Sequence, residues 1–195
     1  MLRLIDDIAQ HFPPFSHVRS ESLLVGMSQA RCAHRRGLYA KVVPLRFENG
    51  HRFQEKGLKL YEIEPLWYQR QEVLYLIYFV LPRFQNLSFE EKLTTVFHEL
   101  YHISPKFNGD IRRFPGARFA HTCSKKGFDA TALKLGREYL KRTANSHLTD
   151  FLKMRFKELE RQYGQVVGKK ILLPKLKLVK SKVPIEPNGQ MVFAF

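Results

Sequence analysis

The stretch TTVFHELYHISPKFNGDIRRF, residues 94–114, decides how the whole chain is interpreted. It contains His98, Glu99 and His102 in the pattern HExxH. On a helix, residues four apart share one face, so both imidazoles can point at one metal ion. Glu99 is turned by about 100° from His98, and its carboxylate can reach a water beside the metal without becoming a ligand. The spacing therefore predicts two metal ligands and one general base.

The residues around the motif predict a buried helix. Ser88 and Glu91 have the spacing of a capping box, which marks a helix start. The helix should end near Ser104, just before Pro105, and this would place the motif in the middle of the helix. Two histidines and a carboxylate buried together without a metal would be costly, which favours a metal site over a purely structural one. Apolar residues recur at helical spacing along the segment: Phe89, Leu93, Val96, Phe97 and Leu100.

A catalytic zinc ion also needs a third protein ligand and one open position. We favour His121, which follows a long loop and offers a nitrogen that suits zinc. Asp129 and Glu138 are alternatives, since a carboxylate from a following helix can complete such a site. Asp110 is also within reach along the chain, but we expect it to organise the loop, by pairing with a neighbouring arginine or by bonding to a ligand histidine.

The rest of the chain predicts an α+β fold. The first dozen residues read as a short helix that Pro13 ends, and strands are expected at 38–47, 57–67 and 72–82. The last of these is continuously apolar, which is typical of a strand buried on both faces. Asp129 is expected to cap a second helical region that runs to about Tyr163.

The end of the chain has a different composition. From Gly168 onward, lysines alternate with Ile, Leu and Val, and Asn188-Gly189 suggests a turn. We expect one domain over residues 1–167 and a basic tail or hairpin over residues 168–195. The tail could pack on the domain or extend from it as a mobile arm.

The charge of the chain is strongly positive. There are 33 Lys and Arg against 18 Asp and Glu, which gives a net charge of +15 and a pI near 10.0. Such a field attracts polyanions, so nonspecific, salt-sensitive binding of nucleic acid is one expectation. The alternative is an ordinary solvated basic surface, because no known DNA-binding module is evident.

The expected location is the cytoplasm. The two cysteines, Cys32 and Cys123, are far apart, which favours free thiols in a reducing compartment. Asp6 and Asp7 interrupt the region where a secretory signal needs an apolar run. The longest apolar segment has about ten residues, too few to span a bilayer as a helix, so no membrane partner is expected. The oligomeric state is not predictable from these features.

The run YLIYFVLPRFQNLSFEEKLTTVFHELYHISPKFNGDIRRF, residues 75–114, resembles the phage-type metallopeptidase family. The likeness covers residues 75–130 well. It implies that His98 and His102 are ligands, that Glu99 is the base and that His121 is the third ligand. A more distant likeness is to SprT-like and Spartan-type proteases, which often act on DNA-bound proteins. Those proteins have His-Gly at the third ligand, whereas Thr122 follows His121 in this chain.

These observations together predict a zincin-like zinc metallopeptidase that hydrolyses peptide bonds through a water activated by Glu99. One alternative is a DNA-associated, SprT-like protease. Another is a non-enzymatic nucleic-acid-binding protein with a structural metal site. We expect a strand within residues 57–82 to bind an extended peptide or protein substrate by its edge. The candidates for stabilising an oxyanion are Arg112, Arg113, Arg118 and Tyr101, although holding the loop is the favoured role of Arg112 and Arg113.

Overall fold

The computed structural model describes residues 1–30, 37–114, 125–143, 146–166, 171 and 173–181, and it is an α+β protein. Five α-helices and eight strands follow one another along these residues, with short 3-10 turns between some of them. The helices are α1 (Leu2–His11), α2 (Phe89–Tyr101), α3 (Lys125–Arg142), α4 (Asp150–Lys153) and α5 (Phe156–Tyr163). The strands are β1 (Leu23–Gln29), β2 (Ala40–Pro44), β3 (Phe53–Lys56), β4 (Lys59–Ile63), β5 (Leu66–Tyr68), β6 (Gln71–Val73), β7 (Tyr75–Leu81) and β8 (Leu176–Ser181).

The sheet that positions the site has the strand order β1-β7-β2. β1 runs parallel to β7, and β2 runs antiparallel to it. β7 is central and largely buried, as its continuous apolar run predicts. β3, β4 and β8 form a second sheet, and β5 and β6 form a hairpin. β2 is therefore an edge strand of the first sheet within the described part of the chain, and it contacts α2.

An aromatic core joins the helices behind this sheet. Phe12, Phe15, Phe97 and Tyr139 are at most 1% exposed, and their ring centroids lie 5.5–6.1 Å apart in successive pairs. α2 and α3 approach closely at Gly136, where an added Cβ would lie 3.1 Å from the side chain of Leu93. A larger residue at this position would push α3 away from the helix that carries the HExxH motif.

A buried carboxylate ties the first helix to α3. Asp7 is 6% exposed and accepts a hydrogen bond from the hydroxyl of Tyr139. Burial, together with this bond, raises the pKa of Tyr139. Thr143, just after α3, also donates to Asp7 at 3.4 Å. The N-terminal residues therefore take part in fixing the position of α3.

The sequence located several elements well. The first helix ends before Pro13, and β2 and β7 lie within two of the three segments expected to be strands. The third segment, 57–67, contains β4 and begins β5. Within residues 168–195, Leu176–Ser181 form β8, which pairs antiparallel with β4, while residues 182–195 lie outside the described part.

One strand was not predicted, and one prediction about a helix start was wrong. β1 was not foreseen, because residues 16–36 show no clear alternation, yet Leu23–Gln29 pair with β7 over their whole length. Asp129 is not a helix cap, since α3 begins at Lys125 and Asp129 lies inside its first turns. No helix among the described residues is both long and apolar enough to cross a membrane.

A buried lysine connects α2 to the C-terminal helices. Lys92 is 1% exposed, and its Nζ donates to the carbonyl oxygens of Gln85 at 2.9 Å and Met154 at 2.7 Å. The Gln85 side chain donates to the carbonyl oxygens of Phe151 and Met154, both at 2.7 Å. Burial lowers the pKa of Lys92 from its ordinary 10.5 to about 8.

The lowered pKa of Lys92 predicts how stability depends on pH. Between pH 8 and 10 the unfolded chain holds the proton on this lysine more tightly than the folded protein does, so the free energy of unfolding should rise as pH rises. Above pH 10 the rise should reverse, because burial raises the pKa of Tyr75 to about 12 and that of Tyr139 also lies above its ordinary value.

Urea unfolding between pH 7.5 and 10 measures this dependence, and Lys92→Met should flatten it. The control is Lys153→Met, which changes an exposed lysine paired with Asp150 on α4. A wild-type protein whose stability stays level or falls between pH 8 and 10 would contradict the expectation.

Candidate active site

The HExxH motif lies in the last turn of α2. Both bonds of the expected capping box are present at its start, since Glu91 N donates to Ser88 Oγ and Ser88 N donates to the Glu91 carboxylate. The helix ends earlier than predicted: Tyr101 is its last residue and His102 is the C-cap. The motif is therefore not in the middle of the helix. The backbone of His102 is still helical, at φ −70° and ψ −20°, so the spacing of four residues keeps both histidines on one face.

The two imidazoles point towards each other. The Nε2 atoms of His98 and His102 are 3.0 Å apart, and the ring centroids are 4.8 Å apart at an interplanar angle of 73°. A tetrahedral zinc ion with Zn–N bonds of 2.0–2.1 Å separates two such nitrogens by about 3.4 Å. The pair is thus close to the geometry of two ligands of one metal ion.

The carboxylate of Asp129 contacts His98 on the side of the ring that faces away from His102. Nδ1 of His98 lies 2.7 Å from Oδ1 of Asp129 on α3. An ionised carboxylate only accepts hydrogen bonds, so Nδ1 of His98 is the donor, and a neutral imidazole then has its lone pair on Nε2. In the described structure, Asp129, which was an alternative third ligand, therefore contacts the nitrogen of His98 that faces away from His102.

Phe128 positions the second histidine. It is fully buried, and its ring stacks on that of His102 with centroids 4.6 Å apart and planes at 26°. The same ring meets His98 edge-on at 4.7 Å. Neighbouring residues of α3, Phe128 and Asp129, therefore fix the orientation of both imidazoles.

Glu99 is turned away from the histidine face, as its helical position predicts. It is 6% exposed, and its Oε2 accepts a hydrogen bond from the backbone N–H of Val42 in β2 at 2.7 Å. A short bond from a fixed backbone donor restricts the carboxylate to few orientations. The structure thus brings His98, Glu99 and His102 together at the junction of α2, β2 and α3.

A comparison with known protein families agrees with this arrangement. The model of the family described as "Putative phage metallopeptidase" matches residues 2–147 of the chain. The chain belongs to this family. No curated protein and no solved structure matches it. The match covers the sheet β1-β7-β2, α2 and α3, which are the elements around the two histidines, and the description of the family implies a metal.

Of the other candidate ligands in this phage metallopeptidase chain, the structure describes Glu138, and it lies away from the two histidines. Glu138 follows Arg137, whose guanidinium pairs with Glu90 in the first turn of α2. Glu90 precedes His98 by eight residues, or about 12 Å of helix, so Glu138 lies at the far end of the helix pair. His121, Cys123 and Arg118 lie outside the described residues. Among the residues that are described, no three His, Cys, Asp or Glu side chains form a group that could hold a metal ion.

The loop after α2 is built around Asp110, which is 6% exposed. Its carboxylate accepts from Nε of Arg113 at 2.9 Å and from the backbone N–H of Asn49 at 2.8 Å. The bond from Asp110 raises the pKa of Arg113. The buried hydroxyl of Tyr75 donates to the Asp110 carbonyl at 2.7 Å and accepts from Gly109 N at 3.0 Å. The expectation that Asp110 organises the loop by pairing with a neighbouring arginine is confirmed.

Arg112 contacts the C-terminal end of α2. Its backbone N–H donates to the His102 carbonyl at 2.6 Å, and its Nε donates to the Tyr101 carbonyl at 2.8 Å. The guanidinium carbon lies 4.5 Å from the centroid of the Tyr101 ring. A cation on the last carbonyls stabilises a helix C-terminus, and here it steadies the turn that carries His102. Arg112 therefore contacts both the carbonyl and the ring of Tyr101. The structure shows Arg112 and Arg113 stabilising the loop.

A cleft of about 390 Å³ runs from the motif along α2. His98 and Glu99 lie at one end of it. One wall is the start of β2 with the residues before it, and the other is α3. Sequence reasoning missed the roles of Val42 and Phe128, because a backbone donor and a stacking ring carry no distinctive motif. The lining residues are Gly37, Leu38, Tyr39, Ala40, Leu87, Glu90, Glu91, Thr94, Thr95, His98, Glu99, Asp129 and Leu133.

The contact between Asp129 and His98 predicts the strength of metal binding. Asp129→Ala should weaken the affinity for zinc by roughly 10- to 100-fold, because the orientation and basicity of the His98 imidazole are lost with the carboxylate. Asp129→Asn should lower the affinity for zinc less, since the amide oxygen can still accept a hydrogen bond from Nδ1 of His98.

Competition with a chromophoric zinc chelator measures these affinities. Asp150→Ala is the control, since it removes an exposed carboxylate of α4 that pairs with Lys153. Equal affinities for Asp129→Ala and Asp150→Ala would exclude a role of Asp129 in orienting His98.

Proposed function

We propose that the protein is a zinc-dependent peptidase in which His98 and His102 bind the metal and Glu99 is the general base. The observation that supports it best is the 3.0 Å separation of the two Nε2 atoms, next to a buried carboxylate and at the end of a cleft. Imidazole nitrogens suit zinc among the common divalent ions. Membership of the phage metallopeptidase family supports the same reaction class.

We also propose His121 as the third ligand. A catalytic zinc site needs three protein ligands, and the described residues supply the histidine pair without a third member. His121 precedes Asp129 by eight residues in the sequence, and Asp129 contacts His98 directly. Because Asp129 of α3 lies against His98, the segment that precedes α3 and contains His121 is in a favourable place to reach the site. Glu138 is not a suitable alternative, because Arg137 beside it pairs with the start of α2.

A bound zinc ion would lower the pKa of a water to about 7 and polarise the carbonyl of the scissile bond. Glu99 then takes a proton from the attacking water and passes it to the leaving amine. The hydrogen bond from Val42 N–H to Oε2 holds the Glu99 carboxylate in place for this proton transfer. Asp129 keeps the Nδ1 proton of His98 in place throughout. Burial of Glu99 excludes bulk water from the proton transfer.

The strand beside the motif is β2, which lies within the expected strand 38–47 but outside the segment 57–82 that was expected to bind the substrate. We predicted that a strand within residues 57–82 would bind the substrate, but β7 is central in its sheet, and β2 is the strand that contacts both the cleft and Glu99. We therefore propose that an extended polypeptide adds to the edge of β2.

Contact with nucleic acid remains a prediction from the net charge of +15. Exposed lysines on the sheet β3-β4-β8 are consistent with it, although Lys177 also pairs with Glu64 at 3.3 Å. A DNA-stimulated cleavage that is lost at high salt would support the second candidate function, a protease directed at DNA-bound proteins. Cleavage that is indifferent to DNA at low salt would exclude it.

Removal of the base separates metal binding from hydrolysis. Glu99→Gln should retain zinc, because both imidazoles and Asp129 are unchanged and the amide oxygen can still accept from Val42. Peptide hydrolysis should fall by roughly 10²- to 10⁴-fold, since an amide cannot take up the proton.

Metal content and cleavage of denatured casein are measured on the same preparation. Glu21→Gln, a change of an exposed glutamate away from the cleft, is the control and should behave as wild type. Retained hydrolysis in Glu99→Gln would rule out the mechanism. The double variant His98→Ala/His102→Ala should lose both zinc and activity.

A further inference from the structure

The edge of β2 has a fixed pattern of outward hydrogen-bonding groups. Val80 N donates to the Tyr39 carbonyl at 2.8 Å, and Leu45 N donates to the Leu74 carbonyl at 3.0 Å. In an antiparallel pair the residues that bond to the partner alternate with residues that do not. Odd-numbered residues of this segment therefore face β7, and the backbone groups of even-numbered residues face the edge.

From Val42 onward, the outward backbone groups of β2 are not available to donate to an added strand. The outward N–H of Val42 donates to Glu99, and Pro44 has no N–H to offer. The outward N–H of Arg46 donates to the carbonyl of Gly109 at 3.0 Å. The loop after α2 thus occupies the place where an added strand would lie, and Gly109 fits there because an added Cβ would lie 2.5 Å from the Arg46 side chain.

The edge before Val42 borders the cleft. Ala40 has its N–H and carbonyl on the outward side, and it lines the cavity together with Thr94 and Thr95 of α2. These threonines precede His98 by three and four residues, so they lie one helical turn from it towards the start of α2. A polypeptide in the cleft can therefore form hydrogen bonds with Ala40 while its scissile bond lies at Glu99.

We propose that the site recognises its substrate through the residues on the carboxyl side of the scissile bond. An added strand pairs more stably with β2 when it is antiparallel. It then runs from the Pro44 end towards the Ala40 end, so the segment after the scissile bond lies in the cleft over Thr94 and Thr95. The segment before the scissile bond meets the closed edge. This inference rests on the proposed peptidase function and adds to it which side of the substrate is bound.

The test compares two series of peptides. A bond cleaved in denatured casein is located by mass spectrometry, and peptides containing it are synthesised with one to four residues on either side. Extension on the carboxyl side from one residue to three should raise kcat/KM by about tenfold, the effect of one or two backbone hydrogen bonds. Extension on the amino side should change it by less than about twofold. The opposite dependence, or equal gains on both sides, would overturn the proposal while leaving the peptidase function intact.

A substitution in the cleft gives a second readout. Thr95→Phe should narrow the cleft and raise KM for peptides with a long carboxyl side by about tenfold, with a smaller change for the shortest peptide. Thr131→Phe is the matched control, because Thr131 is a threonine of α3 that also bonds to its own helix and does not line the cleft. The same rise in KM in both variants, or none in Thr95→Phe, would overturn the proposal.

Binding can be mapped without cleavage. An alanine-based octapeptide is titrated into the ¹⁵N-labelled, zinc-loaded protein, and the amide chemical shifts are followed. Shifts centred on Ala40, Thr94 and Thr95 support binding of a polypeptide along this part of the cleft. If the same peptide is never hydrolysed, the peptidase function fails, and with it the assignment of the bound segment to the carboxyl side of a scissile bond. Shifts centred on Arg46 and Gly109, or no shifts at millimolar peptide, would overturn it.

Discussion

The hydrogen bond between the Val42 amide and the Glu99 carboxylate joins the two parts on which the site depends. It connects the edge of the sheet β1-β7-β2 to the last turn of α2 at 2.7 Å. Because Glu99 adjoins His98 in the sequence, this bond also sets the rotation of α2 about its axis relative to the sheet. It adds a direct polar contact to the packing of α2 against the core, where Phe97 meets Phe12, Phe15 and Tyr139. A charged acceptor in a buried place makes such a bond stronger than an exposed one.

Two further elements, α3 and the loop after α2, position the histidines. α3 supplies Phe128 beneath His102 and Asp129 behind His98, so one helical turn fixes both rings. The loop supplies Arg112, which donates to the carbonyls of Tyr101 and His102 and stabilises the end of α2 next to His102. If His98 and His102 bind a metal ion as proposed, their fixed orientation would lower the entropic cost of binding it. The same loop also covers the edge of β2 beyond Pro44, because Arg46 N donates to the carbonyl of Gly109.

The sequence predicted the parts of the fold that depend on neighbouring residues. The capping box at Ser88, the end of the first helix before Pro13 and the buried strand β7 are all local patterns, and all three are confirmed. The sequence did not predict the elements whose structure depends on contacts with residues far away along the chain. β1 forms because Leu23–Gln29 lie beside β7, and α3 starts before Asp129, whose side chain bonds to His98 instead of capping a helix.

The sequence alone determined the chemistry available at the site: two imidazoles four residues apart and a carboxylate beside the first, as helix periodicity requires. It also determined that Asp110 and its neighbouring arginines form a loop. Only the tertiary structure decided that β2 and not a later strand flanks the motif, and that, among the described residues, its edge borders the cleft before Val42 and is covered by the loop after it. The reason is physical. Backbone donors are identical at every residue, so which of them is available depends on what the fold places opposite, and no local pattern records that.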